Sequence, residues 1–246
     1  MRSLLTTAAL LFCALGAQAD EIRLVASNAV KELVHELIPA FEQAFGHRVQ
    51  AKWGGTPDIT RLAEEGGAFD LVVIPQGVVA DLEKRGKLQP GSGREFVASA
   101  IGAATAPGSR KFDVSTRAGL RQSLLDAQVI VLSSGPSSLH LLALFEQMGI
   151  AERVGPKTLR LAPGLSVGEA LAQGKGQLGF TQMSELLATQ GIELLGPLGA
   201  EVQRRTVFSF GVRPGAEAPT AALAFMRFLT APAVAAQAAH AGLELR

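Results

Sequence analysis

EIRLVASNAVKELVHELIPAFEQAFG, residues 21–46, contains a strand pattern that passes directly into a helix pattern. Its first seven residues form the apolar run typical of a buried strand. In the remainder, apolar residues recur at helical spacing and form one stripe: Val30, Leu33, Val34, Leu37, Ile38, Phe41 and Phe45. Such a β-α unit predicts a mainly parallel sheet that is covered by helices on both faces.

The alternation of strands and helices continues along the chain. HRVQAKW and FDLVVIP, residues 47–53 and 69–75, predict further strands, and a helix pattern follows each of them. A small-residue strand at 97–106 and a charged loop at 107–116 interrupt the pattern before a second alternating set begins. An apolar strand, TVFSFGV, then leads to a closing helical region that Pro232 interrupts.

We therefore predict an α/β protein of two lobes, each with a mainly parallel sheet flanked by helices. The first lobe is expected to comprise residues 20–101 and 208–246, and the second residues 102–207, joined by two hinge crossings.

The N-terminal stretch MRSLLTTAALLFCALGAQA, residues 1–19, has the pattern of a secretory signal peptide. A basic residue precedes an apolar run, and Ala17-Gln18-Ala19 matches a signal peptidase site. The run is shorter than the roughly 20 residues of a membrane-spanning helix. We expect export to the periplasm and a mature chain that starts near Asp20. The single cysteine, Cys13, lies in this leader, so the mature chain is expected to lack disulfides and cysteine catalysis.

The charges of the mature chain balance. Without Arg2 the chain has 23 − 1 = 22 Lys and Arg against 22 Asp and Glu, so no overall field favours nucleic acid or an anionic membrane. The four histidines, His35, His47, His140 and His240, lack the spacing of metal ligands. We expect no cofactor, no protein-bound metal ion and no nucleic acid partner.

Several junctions between a strand and the next helix share one chemistry. Ser27-Asn28, Gly54-Gly55-Thr56, the SSGPSS segment at 133–138 and the SVGE segment at 166–169 all offer hydroxyls or free backbone NH groups. Helix N-termini carry unpaired donors and partial positive charge, and α/β sheets bind ligands at the carboxyl ends of their strands. These junctions indicate an anion-binding cleft. The alternative is that they are helix caps, each stabilising its helix by about 1 kcal/mol.

At these junctions the chain resembles the periplasmic molybdate-binding components of ABC importers, which have the type II solute-binding fold. The resemblance covers nearly the whole mature chain and is carried by LVASNAVKELVHELIPAFEQAFGHRV, GGTPDITRLAEEGGAFDLVVIP, VGEALAQGKGQLGFTQ and ALAFMRFLTAPAVAAQAAHAGLEL. It implies two lobes that close like a hinge around one small anion, delivery to an ABC permease, and action as a monomer.

The resemblance also implies a set of ligand contacts: Ser27, Asn28, Gly55, Thr56, Ser137, Ser138, Val167 and Gln182. Gln182 departs from the family pattern, which commonly has a tyrosine there, and this chain contains no tyrosine. Gly-Gly-Thr-Pro at 54–57 stands where the family often has serines. The predicted guest is therefore either a molybdate-like oxyanion or an organic carboxylate.

A second resemblance is to aconitate isomerases, exported enzymes of the same superfamily. That activity converts trans- and cis-aconitate into each other by moving a double bond, which requires a proton shift at carbon. It needs a positioned base, for which Asp58 and His140 are candidates. Asp58 also fits a helix N-terminus, and His140 fits an ordinary place on an amphipathic helix.

Two pairs of basic residues lie near the predicted crossings. Arg110 and Lys111 are expected at the first crossing, and Arg204 and Arg205 at the return crossing. The first pair could neutralise a carboxylate and the second could contact a permease; charged surface loops are the plainer interpretation of both.

Overall fold

A computed structural model describes residues 19–246. The predicted leader, apart from Ala19, lies outside the described residues. The first half contains β1 (Glu21–Ser27), α1 (Lys31–Phe45), β2 (Arg48–Gly54), α2 (Thr56–Glu64), β3 (Leu71–Pro75), α3 (Gln76–Lys84), β4 (Arg94–Ser99), β5 (Ile101–Thr105) and α4 (Arg117–Asp126). The second half contains β6 (Ile130–Leu132), α5 (Pro136–Gln147), α6 (Ala151–Val154), β7 (Thr158–Arg160), α7 (Val167–Ala172), β8 (Leu178–Gln182), α8 (Met183–Leu187), β9 (Glu193–Pro197), β10 (Thr206–Val212), α9 (Pro219–Leu229), α10 (Ala235–His240) and β11 (Leu243–Leu245).

The strands form two sheets. The six-stranded sheet has the order β11-β4-β10-β3-β1-β2, and the five-stranded sheet has the order β7-β6-β8-β5-β9. Each sheet is mixed rather than mainly parallel. The β-α units give parallel neighbours, whereas the strands beside the crossings, β4, β5, β9 and β10, run antiparallel to their partners. We call each sheet with its packed helices a lobe: the first has six strands and the second has five.

Helices cover both faces of each sheet, as the sequence predicts. All residues of β3 are buried, and its side chains alternate between two hydrophobic clusters: Leu71 and Val73 pack towards α1 and α9, and Val72 and Ile74 towards α2 and α3. The same alternation places Ile130 and Val131 of β6 on opposite faces of the second sheet. A strand that is buried on both faces has to be apolar throughout, which explains the short continuous runs in the sequence.

The predicted stripe of α1 is confirmed at Leu33, Val34, Leu37 and Phe41, which are buried. Its last member, Phe45, is 47% exposed and stacks on Phe41 with ring centroids 4.9 Å apart. A short 3-10 turn at 28–30 precedes the helix, so the regular helix begins at Lys31.

The chain passes between the lobes in the middle of the stretch 97–106. The sequence predicts one strand there, but β4 ends at Ser99 in the first sheet and β5 begins at Ile101 in the second. The return from β9 to β10 lies beside this crossing, because the Gln203 amide accepts from Ile101 N at 2.8 Å and donates to Ile101 O at 2.9 Å.

The lobe boundaries at residues 101, 102, 207 and 208 stay predictions. Four of the observed elements are not predicted from the sequence: α6, α8, β9 and β11.

The closing helical region is interrupted at Pro232, as predicted, by a 3-10 turn between α9 and α10. Within residues 19–246, we find no single helix with both the length and the hydropathy to cross a membrane. The pair 219–229 and 232–240 meets both criteria only when its two parts are taken together, and it bends by 55°.

A buried ion pair fixes the far end of the first sheet. Asp70 is fully buried before β3 and accepts from Arg23 N at 2.8 Å, Arg23 Nε at 3.1 Å and Glu217 N at 2.7 Å. Burial alone would raise the pKa of Asp70, but the hydrogen bonds from Arg23 and Glu217 outweigh it and hold the pKa below its usual value. Asp70 thereby joins β1, β3 and the loop after β10.

We expect Asp70→Asn to lower the free energy of unfolding by about 3 kcal/mol, because it breaks a buried pair. The contribution of Asp70 is present above the usual carboxyl pKa and is lost as pH falls through its lower folded pKa, so the variant should lose that part of the acid dependence. Urea unfolding across acidic pH measures both effects. The control is Asp81→Asn, whose partner Arg85 is exposed, and which should cost less than about 1 kcal/mol. Equal costs for the two variants would contradict the assigned role of Asp70.

Candidate functional site

The carboxyl ends of strands from both sheets meet around a small cavity between the lobes, here called the central cavity. Its volume is about 30 Å³, and a single water needs roughly 10–15 Å³, so it accommodates a group the size of a carboxylate or a small oxyanion. The lining residues are Ser27, Asn28, Gly54, Gly55, Thr56, Ser133, Ser134, Gly135, Pro136, Ser137, Gly164, Leu165, Thr181, Gln182, Glu185 and Phe208.

Two helix N-termini face this cavity, one from each lobe. Gly55 caps α2 and Gly135 caps α5. The first NH groups of a helix have no acceptor within it, and the helix dipole places partial positive charge there. Pro57 is the second residue of α2 rather than the first, so the NH of Thr56 remains available in front of it. The two ends together suit an anion.

Hydroxyl groups surround the start of α5. Ser133 Oγ lies 3.1 Å from Ser137 Oγ and accepts from the NH of Gly135 at 3.2 Å. On the opposite side, Ser27 Oγ accepts from the NH of Ala29 at 3.3 Å, so Ser27 caps the turn that precedes α1. Ser27 accepts only, so its proton is available to a guest; in the Ser133–Ser137 pair one hydroxyl donates to the other, and the second hydroxyl keeps a proton to donate.

Gln182 brings an unpaired polar atom to the central cavity. It ends β8 and is 3% exposed, and its Nε2 donates to Thr206 Oγ1 at 3.1 Å. Its Oε1 is buried without a hydrogen-bond partner. Leaving a buried polar atom unpaired costs about 1–3 kcal/mol, so a guest that bonds this amide would recover that free energy.

The two lobes touch beside the cavity. A Cβ atom on Gly55 would lie 2.9 Å from Gly164 N and 3.4 Å from Pro163 Cα, closer than side chains normally approach. Ser184 Oγ also donates across the lobes to the carbonyl of Ala29 at 2.7 Å. Gly55 is therefore required for contact between the lobes, and the arrangement is closed.

Glu185 is the one ionisable residue among those that line the central cavity. Its carboxylate accepts from the Thr181 hydroxyl and from Gln182 N, the latter at 3.4 Å. Burial raises the pKa of Glu185, and these two hydrogen bonds oppose the rise only in part. Sequence reasoning missed Glu185. The available signal was its place three residues after Gln182, the spacing of a capping residue at a helix start.

A larger outer cavity of about 280 Å³ adjoins the central one. The two share Asn28, Gly164, Leu165 and Glu185. The remaining residues of the outer cavity include two charged groups from the start of α1 and several polar ones: Lys31, Glu32, Ser166, Glu169, Ser184 and Thr189. Glu185 thus lies at the boundary between the small, polar central cavity and the wider outer cavity.

Most of the predicted ligand contacts meet at the central cavity, and two do not. Ser27, Asn28, Gly55, Thr56, Ser137 and Gln182 line it. Ser138 is fully buried in α5, and Val167 packs in a hydrophobic cluster of the second lobe. Gly164 and Leu165 take the place expected for Val167, because the loop before α7 extends to the cavity wall. A ligand contact by any of these residues stays a prediction.

Neither predicted base lies at the central cavity. Asp58 lies beside Trp53 on the outer side of α2 and pairs with Arg61 at 3.0 Å. His140 Nε2 lies 2.8 Å from the carbonyl of Val202 and lines a different groove. Asp58 is the third residue of α2 and His140 the fifth of α5, and neither lines the central cavity. Trp53 packs against the first lobe's core instead of lining the cavity.

The basic residues that the sequence singles out also lie outside the central cavity. Arg110 pairs with Asp126 at 3.0 Å within the second lobe, and exposed Lys111 follows it well after the actual crossing at Ala100. Arg204 and Arg205 do lie on the return crossing, where Arg205 pairs with Glu244 at 3.0 Å. In residues 19–246, no cluster of three or more His, Cys, Asp or Glu side chains could hold a metal ion.

Comparison with known proteins identifies similar sequences. The profile of a family described as bacterial extracellular solute-binding protein matches residues 22–244. An aconitate isomerase from a Pseudomonas species is 29% identical over 230 residues, which cover 91% of this chain and 87% of that protein.

Solved structures with the same fold are solute-binding proteins. The periplasmic molybdate-binding protein of Azotobacter vinelandii has a TM-score of 0.75 at 17% identity, covering 92% of this chain and 99% of that one. The sulfate-binding protein of Mycobacterium tuberculosis has a TM-score of 0.73 at 19% identity, covering 91% and 86%. At these identities the similarity shows the fold alone, and the predicted two-lobed α/β fold is confirmed.

The contact at Gly55 is testable through stability. We expect Gly55→Ala to lower the free energy of unfolding by about 1–3 kcal/mol, because its Cβ would overpack against Gly164. Gly155→Ala is the control, since nothing lies within 4 Å of its Cβ position and its backbone is helical; it should stabilise by about 0.4–1 kcal/mol. Denaturant unfolding gives both values. Stabilisation of both variants would show that the lobes do not touch at Gly55 in solution.

Proposed function

The chain belongs to the family of bacterial extracellular solute-binding proteins, and on this premise we propose that it captures a small anion in the central cavity and delivers it to an ABC permease. The observation that carries the proposal is the lining of the cavity. Two helix N-termini from opposite lobes, several hydroxyls and one buried amide converge on it, and of the residues that line it none is Lys, Arg or His.

In the proposed mechanism, neutral NH and hydroxyl donors hold the anion and no buried counter-charge is needed. Such donors select a guest by size and by protonation state, because each oxygen has to meet a fixed donor. The lobes, proposed as 20–101 with 208–246 and as 102–207, would open at the paired crossings near Ala100 and Gln203 and close over the guest. Closure would bring Gly55 against Gly164.

The proposed cellular setting follows from the leader and the family. The signal peptide pattern at 1–19 and the extracellular family support capture in the periplasm, where an inner-membrane permease is the expected partner. The balanced charge gives no support to a nucleic acid partner. We propose a monomer, with Arg204 and Arg205 on an exposed surface that a permease could contact.

A panel of anions tests the capture function. We expect at least one of molybdate, tungstate, sulfate, phosphate and the di- and tricarboxylates to raise the melting temperature, because a ligand that binds only the folded form stabilises it by mass action. At a concentration 100 times its Kd the gain is about 2.7 kcal/mol. Thermal shift followed by calorimetric titration measures it. A folded protein that responds to none of these anions would overturn the proposal.

Aconitate isomerisation is the second candidate function. Two observations favour it: the Pseudomonas relative covers most of the chain, and Glu185 is a carboxyl with a raised pKa at the cavity. A carboxyl with a pKa nearer to neutral is better suited to accept and return a proton at carbon. Under this alternative Glu185, rather than Asp58 or His140, would be the base.

Incubation with trans-aconitate distinguishes a binder from an enzyme. If the protein is an isomerase, cis-aconitate should form in proportion to protein concentration, and Glu185→Gln should reduce turnover at least 100-fold. Asp58→Asn and His140→Gln are matched controls that should retain activity, because both side chains lie outside the central cavity. Ultraviolet absorbance with chromatography of the product gives the rates. Absence of turnover in a wild-type protein that binds trans-aconitate would exclude the isomerase.

A further inference from the structure

Glu185 occupies a position that anion capture alone does not explain. It is the one ionisable residue that lines both the central and the outer cavity, and it lies in the first turn of α8, three residues after Gln182. One carboxylate oxygen, Oε2, is engaged by Thr181 and by Gln182 N. An ionised carboxylate can only accept hydrogen bonds. It is therefore unexpected in the lining of the central cavity, whose other groups favour a negatively charged guest.

Two negative charges in one small chamber disfavour each other strongly. A like charge within about 4–6 Å raises the pKa of a carboxyl, and a pair of carboxylates in one site retains a proton between them. The central cavity is small enough to bring any guest against its walls, and no basic side chain lines it. A fully ionised anionic group and an ionised Glu185 therefore disfavour each other there, unless one of the two carries a proton.

Resting on the proposed function, we propose that the central cavity binds its anion together with one proton, which Glu185 and the guest share. Glu185 then acts as a specificity residue. A protonated anion can donate a hydrogen bond to the ionised Glu185 carboxylate. A fully ionised oxyanion can bind only when Glu185 has taken up a proton from solution.

The surroundings of Glu185 do not supply an alternative counter-charge. Three elements packed against α8 bring charged residues near it: the 3-10 turn at 28–30 leads into Lys31 and Glu32, α7 carries Glu169 and β9 carries Glu193. Lys31 pairs with Glu32 at 3.8 Å, and Glu193 accepts from Gly108 N at 3.0 Å. None of the four makes an ion pair or hydrogen bond with the Glu185 carboxyl, whose pKa is already raised by burial.

The adjoining outer cavity indicates the class of guest. A carboxyl group fills the central cavity, and the remainder of an organic acid can pass Glu185 into the 280 Å³ outer cavity, where Lys31 could meet a second carboxylate. Gln182 Oε1, which has no partner, can accept from a hydroxyl or a protonated carboxyl. A partly protonated di- or tricarboxylic acid fits Glu185, the outer cavity with Lys31, and Gln182 Oε1. Sulfate or molybdate does not fit all three.

Calorimetric titration with trans-aconitate and with sulfate between about pH 5 and about pH 8 tests the inference. Above the pKa of Glu185, wild type should take up one proton on binding, as measured in two buffers of different ionisation enthalpy, and its affinity should fall about tenfold per pH unit. Glu185→Gln should bind with little pH dependence and should gain at least tenfold in affinity for sulfate at the alkaline end. Glu146→Gln is the matched control, because this exposed acid on α5 lines neither the central nor the outer cavity, and it should behave as wild type.

The outcomes separate the two proposals. Binding by wild type with no proton uptake and a constant affinity across this range would overturn the role of Glu185 and leave anion capture standing. Failure of wild type to bind any anion of the wider panel would overturn anion capture itself. The proton count on wild type decides the role of Glu185 even if Glu185→Gln fails to fold.

Discussion

The proposed site depends on one electrostatic requirement: an anion held without a cation needs several donors that point at it before it binds. Water would otherwise solvate the anion better than the protein does. Here α2 and α5 start on opposite sides of the central cavity, and their first NH groups have no partner within their helices. The strands before these helices, the bare backbone at Gly55 and the paired crossings all serve to place those donors.

The distribution of charge follows the same requirement. Three of the arginines pair with acids outside the central cavity: Arg110 with Asp126, Arg205 with Glu244 and Arg61 with Asp58. These pairs lie at the surface and add little to stability. Glu185 is then the ionisable group that a guest meets, so the chemistry of the site is set by hydrogen-bond donors and by one carboxyl. In the proposed mechanism, the gain or loss of one proton by Glu185 changes the affinity of the central cavity for its anion.

Local patterns were sufficient to predict most of the fold. The helix of α1, the buried strand β3 and the caps at Ser27, Gly55 and Ser166 are encoded by near neighbours in the chain. The division of 97–106 into β4 and β5 depends on which distant strands pair with each half, and no local pattern contains that information. β9 and β11 were missed for the same reason.

The site was predictable to a similar extent. Six of the eight proposed contacts meet at one cavity because strand ends of a sheet share an edge. Ser138 and Val167 are turned into the core, and Glu185 enters the cavity through a short helix that the sequence did not reveal. The position of a side chain around a helix depends on tertiary packing, and for that reason Asp58 and His140, the predicted bases, lie outside the central cavity.

The order of strands in the two sheets has a consequence for how the chain assembles. Every strand of the five-stranded sheet lies between residues 101 and 197, whereas the six-stranded sheet has β10 inserted between β3 and β4 and β11 at its edge. As the chain is synthesised from its N-terminus, the second sheet can complete itself while the first still lacks a central strand. Closing the first sheet requires contacts of long sequence separation, which form slowly. The facing edges of β3 and β4 therefore stay open until β10, Thr206–Val212, has been synthesised, and before then they can pair with another chain.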